Sequence, residues 1–401
     1  MNKKFIVMAA FAAMFSMAFT SCSNEDDAAG ASKAGSVDLG GTRAMSFGVY
    51  MDRNADTRAY NASVADIEED GISVWAFDAT KETAINNSTG TYFMGGYNAG
   101  LAHTHGQAGY ATVWKATADY FWPEYNLNFV ALTPQSGGGI GTITCSQAAA
   151  TGEPAVPSKP VMTVAVNVPL TTESAGTYGS DTQKDIMFAS LEDQGAPTGF
   201  AAAPLSFKHG LSQLVFKGVI DHETTITKAV VKSIKLVNVA ATGTLTYTSA
   251  DDAIVASGWG DKDQTYAANI VNANVTTLDN SGSADAISGQ DDNASGRDYQ
   301  MMIMPQASVL CVGATTENLS QLSAPTAGTY LLVNATLYAN NNDTDAVLEN
   351  TTDVYIPLAV TTWAPNTKYT YTLKFGDNLL HPITFTASIS DWEDGSKNVE
   401  F

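Results

Sequence analysis

The chain has 401 residues, room for two domains of ordinary size beside processed or flexible ends. Its 20 Lys and Arg stand against 41 Asp and Glu, a net charge of −21, so no basic face for nucleic acid or anionic lipid can be assembled. Hydrophobic residues at 44% allow a core, while Ala, Thr, Ser, Asn and Gly abound, a composition common in secreted β-proteins.

Asn2-Lys3-Lys4 precedes an apolar stretch from Phe5 to Phe19. A helix spanning a bilayer needs roughly 20 apolar residues, so residues 1–21 read as a signal peptide. The segment ends Phe19-Thr20-Ser21-Cys22, which resembles a bacterial lipobox whose Cys takes diacylglycerol, with Phe19 where Leu is usual. The other reading is an ordinary signal peptide cut nearby, with Cys22 incidental. Ser23-Asn24-Glu25-Asp26-Asp27 resembles the signal by which Bacteroidetes lipoproteins reach the outer face of the outer membrane. Residues 22–43 are rich in Ala, Gly and Ser and read as a flexible acidic tether.

Met45, Phe47, Val49 and Met51 then alternate with Ser46, Gly48 and Tyr50, the period of a β-strand. Polar, turn-forming residues follow from Asp52 to Arg58. Further strand candidates are Ile72–Phe77, Leu127–Leu132, Val161–Val166, Leu214–Val219, Val230–Val239, Gly243–Tyr247, Tyr330–Tyr338 and Val354–Leu358. The clearest pair closes the chain: Tyr369, Tyr371, Leu373 and Phe375 alternate with polar residues, and so do Ile383, Phe385, Ala387 and Ile389. No stretch outside the signal keeps helical spacing over several turns. The expectation is an all-β chain of two tandem β-sandwiches. Gly195–Pro204 is the linker candidate, with an N-terminal domain over 59–204 and a C-terminal domain over 205–401. Long loops are expected at Gly137–Pro160 and Asp251–Gly296.

Signals of chemistry are weak. His103 and His105 share a face if they lie on a strand, but no third metal ligand is near and the Gly-rich flank reads as a loop. Asp343 and Asp345, near Asn341 and Glu349, lack the Gly of a calcium loop and read as a solvated hairpin tip; Asp291-Asp292-Asn293 is weaker still. No nucleophile elbow, zinc-protease motif or phosphate-binding Gly loop is present. Neither catalytic residues, metal ligands nor cofactors are assigned. Cys145 and Cys311 read as buried thiols, with one disulfide as the alternative. The six Trp include possible sugar-stacking platforms, with core packing the default.

Several short patterns, in this order, resemble the Bacteroidetes fimbrillins, the FimA/Mfa-like subunits of type V pili. They are Tyr120-Phe121-Trp122-Pro123 followed by Leu127–Ala131; Asp185-Ile186-Met187-Phe188-Ala189; Leu205–Leu214; and Ile303-Met304-Pro305-Gln306. Trp363–Tyr371 and Ile389-Ser390-Asp391-Trp392 complete the series. The resemblance implies transthyretin-like, Greek-key sandwiches and a structural, non-enzymatic role, with His209 a packing residue. It implies export as a lipoprotein anchored in the outer membrane through Cys22, then cleavage after an Arg by an Arg-specific surface protease. The cut would fall at Arg58–Ala59, removing the segment 44–58 with its strand residues Met45, Phe47, Val49 and Met51. Thr42-Arg43-Ala44 offers the same local chemistry, but cutting there would spare the strand.

A strand from a neighbouring pilin subunit would then fill the groove. By family analogy the donor is C-terminal, so the candidate is Asn398-Val399-Glu400-Phe401. Implied partners are other pilin subunits, the protease, and a host or bacterial adhesion ligand; nucleic acid is excluded by charge. The place implied is the cell surface, and after processing the fimbrium. The alternative is a surface glycan-binding lipoprotein of a polysaccharide-uptake system, which would stack sugars on exposed Trp.

Overall fold

The computed structural model describes residues 45–51, 67, 70–86, 92–95, 101–107, 110–116, 120–135, 140–152, 155–170, 183, 185–196, 202–220, 226–268, 276–279, 283–287, 301–311, 325–338, 347–358, 362–376, 384–391 and 397–399. Cys22, both Thr-Arg-Ala sequences, Asp291, Asp343, Asp345, Trp392, Glu400 and Phe401 lie outside them.

The described elements are strands. The first eight are β1 (Phe47–Met51), β2 (Ile72–Asp78), β3 (Leu101–Gln107), β4 (Tyr110–Ala116), β5 (Leu127–Thr133), β6 (Ile140–Gln147), β7 (Pro160–Asn167) and β8 (Met187–Gln194). Next come β9 (Ala203–His209), β10 (Ser212–Ile220), β11 (Lys228–Val239), β12 (Thr242–Thr248), β13 (Ala253–Ser257), β14 (Gln264–Ala267), β15 (Thr276–Asp279) and β16 (Asp285–Ala286). The last are β17 (Met301–Ile303), β18 (Gln306–Ala307), β19 (Tyr330–Tyr338), β20 (Val347–Pro357), β21 (Thr362–Trp363), β22 (Thr367–Phe375), β23 (Thr384–Asp391) and β24 (Lys397–Val399).

They form a closed barrel in the order β1-β4-β3-β2-β5-β8-β9, and open sheets ordered β13-β12-β7-β6, β14-β11-β19-β20 and β16-β10-β22-β23-β24. Strand β15 also pairs β11, β17 pairs β10, and β18 pairs β21.

Two of the barrel strands are buried on both faces, which is why their sequences read as continuous apolar runs. In β2, Ile72, Val74 and Ala76 enter the barrel core, while Trp75 and Phe77 enter the core shared with the open sheets. In β5, Leu127, Phe129 and Ala131 face the barrel, and Val130 and Leu132 the other side. The four-stranded sheet instead shows clean alternation. Met162, Val164 and Val166 of β7 are buried between partly exposed Val161, Thr163 and Ala165.

A buried polar chain links barrel and sheet. Asn128 Nδ2 donates to Gln147 Oε1 at 3.0 Å, Gln147 Nε2 to the Asp78 carbonyl at 2.9 Å, and the Asp193 N–H to Asn128 Oδ1 at 2.9 Å. Each polar atom so placed avoids the cost of burial without a partner.

Three expectations are corrected. The loop expected at 137–160 contains β6, whose inward Ile143, Cys145 and Gln147 alternate with outward Thr144 and Ser146. The loop expected at 251–296 contains β13, β14, β15 and β16. The His103/His105 pair lies on β3 rather than in a loop.

Strand pairing also runs across residue 205. Ala203 and Pro204, expected in a linker, belong to β9 and pair Phe47 and Gly48. The pairing of β7 with β12 joins 160–167 to 242–248 in one sheet. Cys145 and Cys311 are both buried, as free thiols.

Candidate functional site: the seat of the first strand

The alternation of Met45, Phe47 and Val49 sends all three side chains into the barrel, where they are 3%, 0% and 9% exposed. Strand β1 lies parallel to β9 over five pairs, from Phe47↔Ala203 to Met51↔Phe207. On its other side it meets β4 at one pair, Phe47↔Trp114. Its start is pinned by the Met45 N–H donating to the Tyr120 carbonyl at 2.6 Å and by the Ala203 N–H donating to the Ser46 carbonyl at 2.9 Å.

Phe47 is the centre of the seat. Its ring meets Phe129 edge to face, with centroids 5.4 Å apart, and Trp122 meets Phe129 in the same manner at 5.7 Å. Around them stand Leu127 and Ala131 of β5, Met187 and Ala189 of β8, and Leu205 and Phe207 of β9. The strand both closes the barrel and fills its middle. Burying three such side chains is worth on the order of 5–9 kcal/mol, at about 1.5–3 kcal/mol each.

The segment that follows, with Arg58 and Ala59, lies outside the described residues, so the seat is visible and its outlet is not. At the other end of the chain, Asn398 and Val399 lie in β24, antiparallel to β23 through Ala387↔Val399, Ser388↔Asn398 and Ile389↔Lys397. The described part of the candidate donor segment, Asn398 and Val399, therefore occupies the edge of its own chain's sheet.

Other sequence candidates fall into place around this site. Trp75, Trp114 and Trp363 are fully buried packing residues. Trp259 is 44% exposed, its Nε1 donating to the Pro305 carbonyl at 2.8 Å and Lys262 Nζ lying 5.7 Å from its ring centroid. His209 Nδ1 is in close contact with Oδ2 of fully buried Asp185, both standing beside the core. Among the described residues no group of three or more His, Cys, Asp or Glu is placed to hold a metal ion. No described helix is long and apolar enough to cross a membrane.

Burial raises the pKa of the Cys145 thiol and of the Tyr266 and Tyr371 phenols. Trp363 Nε1 donates to the Tyr371 hydroxyl at 2.9 Å. These groups pack the cores and none of them lines the seat.

Sequence reading found the seated side chains but not the seat. The parallel partner β9 lies some 150 residues further on, and strand pairing at that distance leaves no local signal. The alternation in Ala203–His209, with Ala203, Leu205 and Phe207 buried, was the available clue, masked by Pro204.

The fold is similar to that of a fimbrial protein from Bacteroides vulgatus ATCC 8482, at 16% identity and a TM-score of 0.51, covering 86% of this chain and 99% of that one. Candidate cell adhesion proteins from Bacteroides ovatus ATCC 8483 and Bacteroides uniformis ATCC 8492 also align. The first is 13% identical with a TM-score of 0.45, covering 88% of this chain and 99% of its own. The second is 12% identical with a TM-score of 0.41, covering 87% and 98%. No curated protein matches. Residues 57–392 match the family model described as fimbrillin-like, and over that span the chain belongs to the fimbrillin-like family.

Proposed function

We propose that this chain is a structural subunit or adhesin of a type V pilus, assembled at the cell surface by removal of β1 and strand exchange. Membership of the fimbrillin-like family supports the subunit role. One observation carries the mechanism: β1 and the residues leading into it, ahead of the family-matched region, supply Met45, Phe47 and Val49 to the barrel core.

In this scheme the chain is exported as a lipoprotein anchored through Cys22 and cut after Arg58 by an Arg-specific surface protease. Loss of β1 would expose the backbone edge of β9 together with the pockets of three buried side chains. An open apolar edge is an association hazard, and a strand from a neighbouring subunit satisfies it. Before the cut the strand within the chain blocks that edge, so the precursor is monomeric. The donor is the C-terminal segment Asn398–Phe401. Its strand β24 is held by three pairs at a sheet edge, a small attachment to give up.

The barrel that seats β1 includes β9, which runs across the nominal boundary at 205. A glycan-binding role is the second reading, and the exposed ring of Trp259 favours it. Treatment with an Arg-specific protease followed by unboiled SDS gels separates the two: a pilin gives ladders, and a glycan binder stays monomeric. Arg58→Ala is expected to leave full-length lipidated monomer at the surface. Polymers from that variant like those of the unsubstituted chain, or a surface form beginning elsewhere than Ala59, would overturn the cleavage assignment.

A further inference from the structure

A strand at the end of a sheet offers unpaired N–H and C=O groups to other chains, and folded proteins blunt such edges with charge, proline, bulges or shortness. The closed barrel has no edge. Among the described outer strands of the open sheets, β20 breaks register against β19 and carries Glu349 and Asp353. Strand β14 has four residues and a register break against β11. Strand β24 has three residues and begins with Lys397, β16 has two and begins with Asp285, β15 has four and ends with Asp279, and β17 has three. Strand β6 breaks register against β7, and its end is bonded to Ile85 through two backbone hydrogen bonds of 2.8 Å.

Strand β13 carries none of these devices. Ala253-Ile254-Val255-Ala256-Ser257 is uncharged and free of proline, and it pairs with β12 at all five positions without a shift. Val255 is 59% exposed. The adjoining outward face is uncharged too: Val255 is paired to Thr246, Thr246 to Thr163, and Thr163 to Thr144.

We propose that β13 is a lateral contact through which two copies of this chain pair edge to edge, antiparallel about a two-fold axis at Val255. The strand is self-complementary in that arrangement. Val255 meets its own copy, Ile254 meets the smaller Ala256, and Ala253 meets Ser257, as an isologous interface requires. Charge also selects the occupant. Copies carrying −21 each repel one another at long range, so an uncharged strip is where contact between them meets the least opposition. A charged partner would find nothing on this strip to read.

A five-residue strand pair is far smaller than the roughly 1,200 Å² of a stable interface. The contact is therefore weak between free monomers and becomes effective between chains already aligned in polymers, where repetition multiplies it. In that respect it rests on the pilus reading, although it uses another sheet and needs no cleavage. In this register Asp251 opposes Trp259 and Asp261 opposes Ser249, which brings exposed acids of both copies to each end of the pair, so added salt should strengthen the pairing.

The test is cysteine cross-linking in the full chain, with and without Arg-protease treatment. Directly opposed residues of an antiparallel pair have Cα atoms about 4.5–5.5 Å apart, within the disulfide range of about 4.4–6.8 Å. Cys145 and Cys311 are buried, and the unsubstituted chain, which also carries Cys22, serves as the blank. Val255→Cys should give a dimer cleaved by dithiothreitol, at least tenfold more than Ala253→Cys. Mixing Ala253→Cys with Ser257→Cys should restore the cross-link. Val255→Lys should disperse laterally bundled polymers in electron micrographs while SDS-resistant ladders persist. Equal cross-linking at 253 and 255, or none in preparations that show ladders, would overturn the contact. Dimers through residue 255 without ladders would uphold it and count against the strand-exchange reading instead.

Discussion

Replacing Phe47 by Ala tests whether the first strand is a separately seated plug. Phe47 is fully buried and packs edge to face on Phe129 at 5.4 Å. Truncating such a ring in a core costs about 3–5 kcal/mol. If β1 can leave its seat while the rest of the barrel stays folded, that cost falls on the seat alone. At about 1.4 kcal/mol per factor of ten, the population with β1 released rises by roughly two to three and a half orders of magnitude. Hydrogen exchange of the full-length chain reads this directly. Amides of Phe47–Met51 and Ala203–Phe207 should exchange at least about a hundredfold faster, by the same conversion, while those of Thr367–Phe375 keep their protection. The variant should also associate without proteolysis. Unchanged protection of β1 would refute the local seat, and equal loss in β22 would show that the strand is an inseparable part of the core.

Gln147→Leu removes the acceptor of Asn128 and the donor to the Asp78 carbonyl, at a buried site. A loss of about 1–3 kcal/mol is expected, measured as a lowered urea midpoint; an unchanged midpoint would mean that the link between barrel and sheet is not holding them. Alkaline pH should unfold the chain through its buried acids. Burial pushes Tyr266 and Tyr371 up from an ordinary 10.0, and Cys145 up from 9.0, so the folded chain retains protons that the unfolded chain has lost. Stability should be flat in these groups below about pH 9, then fall by about 1.4 kcal/mol per pH unit for Cys145 and, above about pH 10, by as much again for each tyrosine. Phenolate absorbance from the buried rings should appear only together with unfolding; ionisation in a still-folded chain would contradict the burial argument.

Much of the fold was legible because period-two alternation is local. Tyr369, Tyr371, Leu373 and Phe375 alternate in sequence and are buried in β22. What was missed lies where local chemistry and pairing disagree. β6 sits among glycines, and β9 starts with Ala203-Pro204, both usual marks of a loop. Strands β7 and β12 look like members of separate halves until their register joins Thr163 to Thr246. Pairings between distant segments depend on the whole chain folding, so no window of sequence displays them. The candidate site divides the same way: Phe47 could be named from its neighbours, but Phe129, Trp122 and β9 could not be named as its surroundings.

The unequal hold on β1 has a consequence for the proposed cut. Along β9 the strand makes five pairs, and along β4 one. Its first residues are tied at Tyr120 and Ala203, whereas Arg58 lies past its other end. While the chain is intact, β1 competes for its seat as an intramolecular ligand, at the millimolar effective concentration of a short tether. Once cut, the same strand is a free peptide. Three buried side chains worth on the order of 5–9 kcal/mol correspond to dissociation constants from about 0.2 millimolar to about 0.2 micromolar, before the cost of immobilising the peptide. Under the proposed function, proteolysis would then need no conformational trigger: it would change concentration, not contacts. A donor strand delivered by a neighbouring subunit, repeated along a fibre, can displace such a peptide without binding the seat any better than Met45, Phe47 and Val49 do.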